Sequence, residues 1–245
     1  MEYLISSIIG YLLGSFPSAY ILLKKTRGTD ITKEGSGNVG AMNSFEVTKS
    51  KLIGISVFLI DFLKGLGSTL IPVLLFPNEF IYPALSLLFA VFSHCYNPWL
   101  NFKGGRGLST AAGGAAFLFP FLLAVWAVIW AIVYVMRKNI ILANISSTVL
   151  SLFVVYGTSE IGVKYAFPQP VNSGVLLMVS SAALIIIFIK HIEPLKELIA
   201  EQKNNWKLKN DQTKKINYHW YYHSSTHSCD IYQRKVKSNQ SLGNL

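Results

Sequence analysis

Two glycine-rich polar segments hold the residues of this chain that are best suited to chemistry. They are residues 35–40 (GSGNVG) and residues 103–107 (KGGRG). Backbone amides that no side chain shields, placed beside hydroxyl, amide and cationic groups, form a receptor for phosphate oxygens. The alternative is that these glycines only close tight turns or permit helix packing. Two such segments in one chain favour a protein that binds or transforms phosphorylated compounds.

The composition indicates that these segments are embedded in a membrane protein. Of the 245 residues, 51% are hydrophobic and 14% are charged, and the mean hydropathy is +0.41. Soluble domains carry about 25% charged residues. The apolar residues also form long continuous runs, which favour burial in a bilayer over a water-solvated core. We therefore predict an all-α integral membrane protein.

The apolar runs predict about seven transmembrane helices. These cover residues 3–23, 52–76, 80–100, 108–119, 121–136, 140–157 and 174–190. The fourth run is shorter than the ~20 residues that a straight span needs. It is therefore predicted to be tilted, re-entrant or fused through Pro120 to the fifth run.

Basic residues in the loops predict the orientation, because Lys and Arg are retained on the cytoplasmic side. Lysines or arginines follow the first, third, fifth and seventh runs, whereas residues 77–79 contain none. This pattern predicts that the N-terminus lies outside the cell and the C-terminus in the cytoplasm. Both glycine segments then lie on the cytoplasmic side.

The chain changes character after residue 200. Residues 1–200 are predicted to form the membrane domain, and residues 201–245 a basic, flexible cytoplasmic tail beside anionic lipid. His219, His223 and His227 would align on a helix and suit a metal, but little else in the segment favours that helix, so no metal site is predicted. Nucleic acid is not an expected partner. Cys95 and Cys229 are predicted to be free thiols.

Ionisable residues inside the apolar runs suggest further members of a site, because such groups are costly in hydrocarbon unless they are paired or face a wet cavity. Asp61 and Lys64 share a helical face, so a buried ion pair and a substrate role for Lys64 are both consistent with the sequence. His94 is predicted to lie at the same membrane face as the glycine segments. His191, at the end of the last run, adds a third polar point there.

Together these residues closely resemble the bacterial acyl-phosphate:glycerol-3-phosphate acyltransferase family, PlsY. The resemblance covers about residues 1–200 and rests on residues 14–20 (GSFPSAY), 35–43 (GSGNVGAMN), 61–65 (DFLKG) and 103–107, together with His191. It implies a multi-pass enzyme of the bacterial inner membrane that acts in phospholipid biosynthesis. Its substrates would be acyl phosphate and glycerol 3-phosphate, its surroundings membrane lipid, and it would need no metal or organic cofactor.

The resemblance also implies site residues. The predicted catalytic residues are Ser36, His94 and Lys103. The predicted phosphate-binding residues are Gly35, Gly37, Asn38, Lys64, Gly104, Gly105, Arg106, Gly107 and His191. An activated acyl phosphate needs no covalent nucleophile, so these residues would place the acceptor hydroxyl and neutralise two phosphates.

Four positions depart from the family pattern. Glu46 and Ile192 stand where the family has arginine, Pro194 where it has asparagine, and Ser93 where it has glycine. Loss of two phosphate contacts, each worth roughly 1.5 to 3 kcal/mol, would weaken substrate binding. Two alternatives therefore stay open at the level of sequence: a divergent or inactive paralogue with another acceptor, and a transporter or binder of lipid anions.

Overall fold

The computed structural model describes residues 1–215, and these residues form helices and no strand. They divide into two compact units, Met1–Leu195 and a second unit that starts at Lys196. The helices are α1 (Glu2–Ser15), α2 (Ser18–Arg27), α3 (Ala41–Thr48), α4 (Lys51–Leu75), α5 (Ile81–Cys95), α6 (Leu108–Leu118), α7 (Pro120–Arg137), α8 (Ile140–Gly157), α9 (Ser159–Lys164), α10 (Ser173–Ile189) and α11 (Ile192–Lys215), with 3₁₀ turns at Ile31–Lys33 and Pro98–Leu100.

The first predicted span, residues 3–23, is not one uninterrupted helix. α1 ends at Ser15, and α2 begins at Ser18 after an extended Phe16 with ψ of 115°. Pro17 explains the break, because a proline disfavours the helical conformation of the residue before it and lacks an amide hydrogen of its own. The break frees backbone carbonyls inside the bundle, and these become anchor points for the site described below.

The fourth and fifth predicted spans are separate helices, so the predicted fusion through Pro120 does not occur. α6 has 11 residues and ends at Leu118, because the next residue, Phe119, has φ of −144° and ψ of 71°, which are not helical. Pro120 then occupies the first position of α7, where its missing amide hydrogen has no helical partner to lose. The short length predicted for this segment is confirmed.

Four helical segments within residues 1–215 are long and apolar enough to cross a bilayer, or five if α10 is counted with the helix that follows it. The four are Glu2–Arg27, Lys51–Leu75, Pro120–Arg137 and Ile140–Gly157. α7 shows the apolar outer surface expected beside lipid: Val128, Val135 and Met136 are 59%, 64% and 74% exposed.

Small residues bring the central helices close together. Side chains at Gly10 and Gly14 of α1 would overlap the backbone of Ser86 and Ala90 on α5. A side chain at Gly113 of α6 would overlap the carbonyl group of Phe62 on α4. This is the close approach that the small residues of α6 predict, and it fixes α4, α5 and α6 as the frame of the site.

Two buried clusters complete the first unit. The larger joins α5, α6, α7, α8 and α10 through residues such as Leu87, Leu118 and Leu184. The smaller holds Leu23, Ile31, Val39 and Val57 together. Because Ile31 and Val39 belong to the loop between α2 and α3, the smaller cluster fastens that loop to α4.

The described part of the second unit, residues 196–215, is helical, and nearly all of its side chains are exposed. The predicted flexible tail begins at residue 201. Residues 201–215 are helical, so the first part of this tail has secondary structure. The histidines at 219, 223 and 227 and Cys229 lie outside the described residues.

Candidate phosphate-binding site

The first glycine loop is built around the side chain of Asn43. The Asn43 Oδ1 atom accepts a hydrogen bond from the Ser36 amide at 3.0 Å, and Asn43 Nδ2 donates to the Glu34 and Asn38 carbonyls, each at 3.0 Å. Gly35 has φ of +57°, and a side chain there would overlap Asn43 Oδ1. The loop therefore has a defined shape, with Ser36 exposed at its surface.

Asn43 was missing from the predicted site residues, although it belongs to the first glycine motif. It is 1% exposed and lies on the short helix α3. Its signal in the sequence is an amide side chain close after a glycine-rich loop, the type of group that satisfies loop backbone atoms. The buried Asn43 side chain holds the loop through hydrogen bonds to its backbone.

The second glycine loop packs directly against His94. The Gly105 amide donates to the His94 carbonyl at 3.1 Å. A side chain at Gly105 would overlap the His94 imidazole, and one at Gly104 would overlap the His94 carbonyl. Gly107, with φ of +84°, then turns the chain into α6. The loop thus leads into a helix N-terminus, whose amides and dipole favour anions.

A backbone hydrogen bond joins the two glycine loops. The Val39 amide donates to the Gly104 carbonyl at 3.1 Å. Val39 and Gly104 are 65 residues apart in the sequence, so this contact is a product of the fold. It places Ser36, Asn38 and Lys103 at one end of the bundle, with Ser36 and Lys103 exposed.

Lys64 is buried, and its ammonium group has two partners. Its Nζ atom is 2.9 Å from Asp61 Oδ1 and donates to the Phe16 carbonyl at 3.0 Å. Asp61 also accepts a hydrogen bond from the Ser18 hydroxyl. Lys64 and Asp61 are 8% and 1% exposed. Of the two interpretations left by the sequence, this geometry favours the buried ion pair.

His94 is also buried, at 5% exposure, and its Nδ1 atom is 3.8 Å from Asp61 Oδ1. The ring therefore lies between the ion pair and Gly105. This position suits a residue that supports the second glycine loop.

The break after α1 is tied to the same end of the bundle. The Ser15 carbonyl accepts a hydrogen bond of 2.6 Å from Asn97, and the Ser15 hydroxyl accepts one of 3.2 Å from the Trp99 indole. The Phe16 carbonyl is satisfied by Lys64, as described above. Carbonyls freed inside a membrane bundle need such partners, so the break and the residues next to the second glycine loop stabilise each other.

His191 is 1% exposed, and its Nδ1 atom lies 2.8 Å from the Ile187 carbonyl. Since the carbonyl can only accept, Nδ1 carries the proton and Nε2 has a free lone pair. The Nε2 atom is buried and has no hydrogen-bond partner. Burial, with the nearby charge of Arg106, lowers the pKa of His191 to about 4, so the ring is neutral near pH 7.

An apolar cavity of about 160 Å³ adjoins the polar loops. Its lining comes from α4, α5, α6, α7 and α10 and from Phe119. At one end are Leu108, which follows Gly107, and Ile187, one helical turn before His191. A side chain at Gly107 would lie 3.3 Å from Ile187 Cγ1, so the second glycine loop borders this end of the cavity.

The sequence matches a known family over this whole region. The profile of the family described as glycerol-3-phosphate acyltransferase matches residues 4–201. The chain belongs to the glycerol-3-phosphate acyltransferase family. This membership confirms the resemblance inferred from the motifs, and it makes the protein an acyltransferase of the membrane.

Curated relatives carry the same description. The glycerol-3-phosphate acyltransferase of Ehrlichia canis (strain Jake) is 30% identical over 197 residues, which cover 80% of this chain and 95% of the relative. The enzyme of Bacillus subtilis (strain 168) is 32% identical over 201 residues, covering 81% of this chain and 96% of the relative.

Two solved structures share the fold. One is PlsY, an integral membrane glycerol 3-phosphate acyltransferase, in its glycerol 3-phosphate form; it has a TM-score of 0.69 and 28% identity over 82% of this chain and 94% of that chain. The other is the lysophosphatidic acid form, with a TM-score of 0.67 and 27% identity over 82% of this chain and 93% of that chain.

Proposed function

We propose that the protein transfers a fatty acyl group from acyl phosphate to the sn-1 hydroxyl of glycerol 3-phosphate. The observation that carries the proposal is the hydrogen bond that joins the two glycine loops at 3.1 Å. Each loop suits one phosphate, so the contact supports two phosphorylated substrates bound side by side. The products are lysophosphatidic acid and inorganic phosphate.

The seven predicted spans are part of this proposal. α1 with α2, then α4, α5, α6, α7, α8 and α10 would cross the bacterial inner membrane, with the N-terminus outside. The hydrogen bond between the two glycine loops supports this arrangement, because it brings the loop after α2 and the loop before α6 to the same end of the bundle. The substrates would then reach the site from the cytoplasm, and the acyl chain would come from the bilayer.

The reaction needs no covalent intermediate. The sn-1 oxygen attacks the carbonyl carbon, the bond between that carbon and the phosphate oxygen breaks, and phosphate leaves with the electron pair. The proton of the hydroxyl ends on the departing phosphate or on a nearby base. Holding the two substrates together in this geometry supplies much of the rate enhancement, and donors aimed at the charged oxygens supply more.

Direct contact with phosphate is assigned to the exposed or partly exposed side chains of the two loops. Ser36 offers a hydroxyl, Asn38 an amide and Lys103 a positive charge, while Gly35 and Gly37 leave the backbone of the first loop unshielded. The buried glycines 104, 105 and 107 are assigned to shape the second loop. Arg106 adds positive charge in the same loop. Lys64 and His94, both buried, are assigned to hold the second loop and the break after α1 in place.

His191 is assigned to the acceptor hydroxyl rather than to a phosphate oxygen. A neutral ring with its proton on Nδ1 offers a lone pair at Nε2, and a deprotonated phosphate oxygen cannot donate to it. A glycerol hydroxyl can. His191 would therefore orient that hydroxyl and accept its proton as the ester bond forms.

The test is phosphate release from palmitoyl phosphate by the purified full-length protein, with and without glycerol 3-phosphate. We expect release that depends on the acceptor and yields lysophosphatidic acid. Ser36→Ala and Lys103→Ala should reduce it by about tenfold to a hundredfold each, as the loss of a charge-assisted bond of roughly 1.5 to 3 kcal/mol requires.

Lys25→Ala is the matched control, because Lys25 is an exposed lysine at the end of α2 and outside both loops. It should leave the rate unchanged. Phosphate release that does not depend on glycerol 3-phosphate would overturn the proposal. So would a release rate that stays unchanged in both loop variants.

A further inference from the structure

The last described helix, α11, carries an exposed apolar stripe. Ile199 and Trp206 are 56% and 65% exposed. They are seven residues apart in the sequence, which is close to two turns of an α-helix, so they share one face. The family match ends at residue 201, so most of this helix lies beyond the part of the chain that the family explains. The described residues leave the stripe largely open to its surroundings.

Charged side chains are segregated around this stripe. Successive residues of an α-helix are rotated by about 100°. Five of the six lysines in residues 196–215 lie within about 90° of the stripe; they are at positions 196, 203, 207, 209 and 214. The three acidic residues of the segment lie within about 50° of the opposite side; they are Glu197, Glu201 and Asp211. Positive charge therefore borders the stripe, and negative charge is confined to the far side.

This distribution of charge is complementary to the surface of an anionic bilayer. An interfacial helix lies flat in the membrane surface, with its apolar face buried by about 5 to 10 Å. Lysines that border the apolar face then meet the anionic head groups, which attract them. Acidic side chains on the far side point away from those head groups. The indole ring of Trp206 suits this depth, because tryptophan is enriched at the boundary between membrane and water.

The same stripe does not suit a second copy of the helix. A coiled coil needs apolar residues at two alternating core positions, which are three and four residues apart. If Ile199 and Trp206 occupy one of these positions, the other falls on Gln202 and Lys209. An amide and a charge would then enter the core between the two helices. The pairing would also bring the lysines that border each stripe close together.

We propose that residues 196–215 bind the surface of an anionic lipid bilayer through this stripe and the lysines that border it. Binding is assigned to one face of an ordered helix, whereas composition alone predicts a flexible basic segment. α11 begins at Ile192, three residues after the end of α10, and α10 is one of the proposed membrane spans. The chain therefore enters α11 close to a bilayer surface. This binding does not depend on acyl transfer.

The test places an NBD fluorophore on either side of the helix in the full-length protein in nanodiscs. Gln202→Cys puts the label beside the stripe, and Asn204→Cys puts it on the far side; both replace an exposed amide. Cys229→Ser removes the thiol of the tail, and Cys95 is buried. In nanodiscs that contain phosphatidylglycerol, the label at position 202 should emit at a shorter wavelength than the label at 204. It should also be quenched less by acrylamide.

Ile199→Gln and Leu208→Gln form a matched pair of variants. Each replaces an exposed aliphatic residue of the same size with a good helix former, but Leu208 lies on the side opposite the stripe. Ile199→Gln should remove most of the difference between the two labels, and Leu208→Gln should leave it intact. The double variant Lys203→Gln/Lys207→Gln should also reduce the difference. Its control is Lys215→Gln, which removes a lysine from the far side.

Lipid composition and salt identify the occupant of the stripe. The difference between the labels should shrink in nanodiscs of phosphatidylcholine alone. It should also shrink in anionic nanodiscs at about 1 M salt, where the screening length falls to about 3 Å. Equal emission and quenching of the two labels in anionic nanodiscs would overturn the proposal. So would a shielded label at position 202 that responds to neither lipid charge nor salt, because the stripe would then be covered by a protein surface.

Discussion

The contact between Gly105 and His94 gives a sharp test of the second glycine loop. In Gly105→Ala the new Cβ atom would overlap the imidazole, lying 2.7 Å from Cε1 and 3.0 Å from Cδ2 of His94. Ordinary carbon contacts lie at about 3.5 to 4.0 Å, so the loop or the ring must move by roughly 1 Å. The ring has little room, because its side chain is 6% exposed beside Asp61.

The loop is therefore expected to move. Movement strains the hydrogen bonds from the Gly105 amide to His94 and from the Val39 amide to the Gly104 carbonyl, both 3.1 Å long. Each is worth about 1 kcal/mol to stability. The larger effect is on catalysis, since a misplacement of about 1 Å at a site that works by positioning can lower the rate a hundredfold.

The assay is kcat/KM for glycerol 3-phosphate at saturating palmitoyl phosphate, together with the thermal midpoint in detergent. We expect Gly105→Ala to lower kcat/KM by about a hundredfold while the midpoint falls by only a few degrees. Gly157→Ala is the control, because no atom lies within 4 Å of the added Cβ at the end of α8. Activity of Gly105→Ala close to that of the wild type would refute the assigned role of this loop.

Two further predictions concern Glu46 and His191. Glu46 is exposed on α3 beside the first glycine loop. Glu46→Arg should lower KM for glycerol 3-phosphate several-fold, because it replaces repulsion of the phosphate by attraction. Glu2→Arg, at the start of α1, is the control and should leave KM unchanged; an unchanged KM in both variants would contradict this reasoning. His191 has a pKa of about 4 in the folded protein and of about 6.5 in the unfolded chain. As the pH falls, the unfolded chain therefore takes up the proton first. The free energy of unfolding should decrease by about 3 kcal/mol between pH 6.5 and pH 4. In His191→Asn, whose amide can still donate to the Ile187 carbonyl, the thermal midpoint should fall less over that range; equal slopes would rule out His191 as the source.

The sequence was sufficient for the features that depend on composition and on local motifs. Long apolar runs predicted the helices, and the bounds of the sixth run, 140–157, coincide with α8. The glycine segments were recognised because unshielded amides beside polar side chains are unusual between apolar runs. Pro17 is the local signal for the break after α1, and the apolar run at residues 3–23 does not show that break.

Other features depend on contacts between distant residues. The amide of Val39 meets the carbonyl of Gly104 across 65 residues of sequence, and Gly65 and Gly113 let α4 and α6 approach closely. The apolar cavity likewise needs side chains from five helices. Asn43, by contrast, depends on residues close to it in the sequence. Its role requires three backbone groups of the loop, whose positions follow from the positive φ values of Gly35 and Gly37. Residue types alone do not specify these φ values.

The buried ion pair links these observations into one physical picture. Removing Lys64 would leave Asp61 charged in a low-dielectric interior, a change that costs roughly 3 to 5 kcal/mol for buried pairs, and would also deprive the Phe16 carbonyl of its donor. The break after α1 would then lose one of its anchors, while Asn97 would still hold the other through Ser15. Polar residues in the apolar helices thus stabilise an interrupted first helix, and His94 connects that region to the second glycine loop.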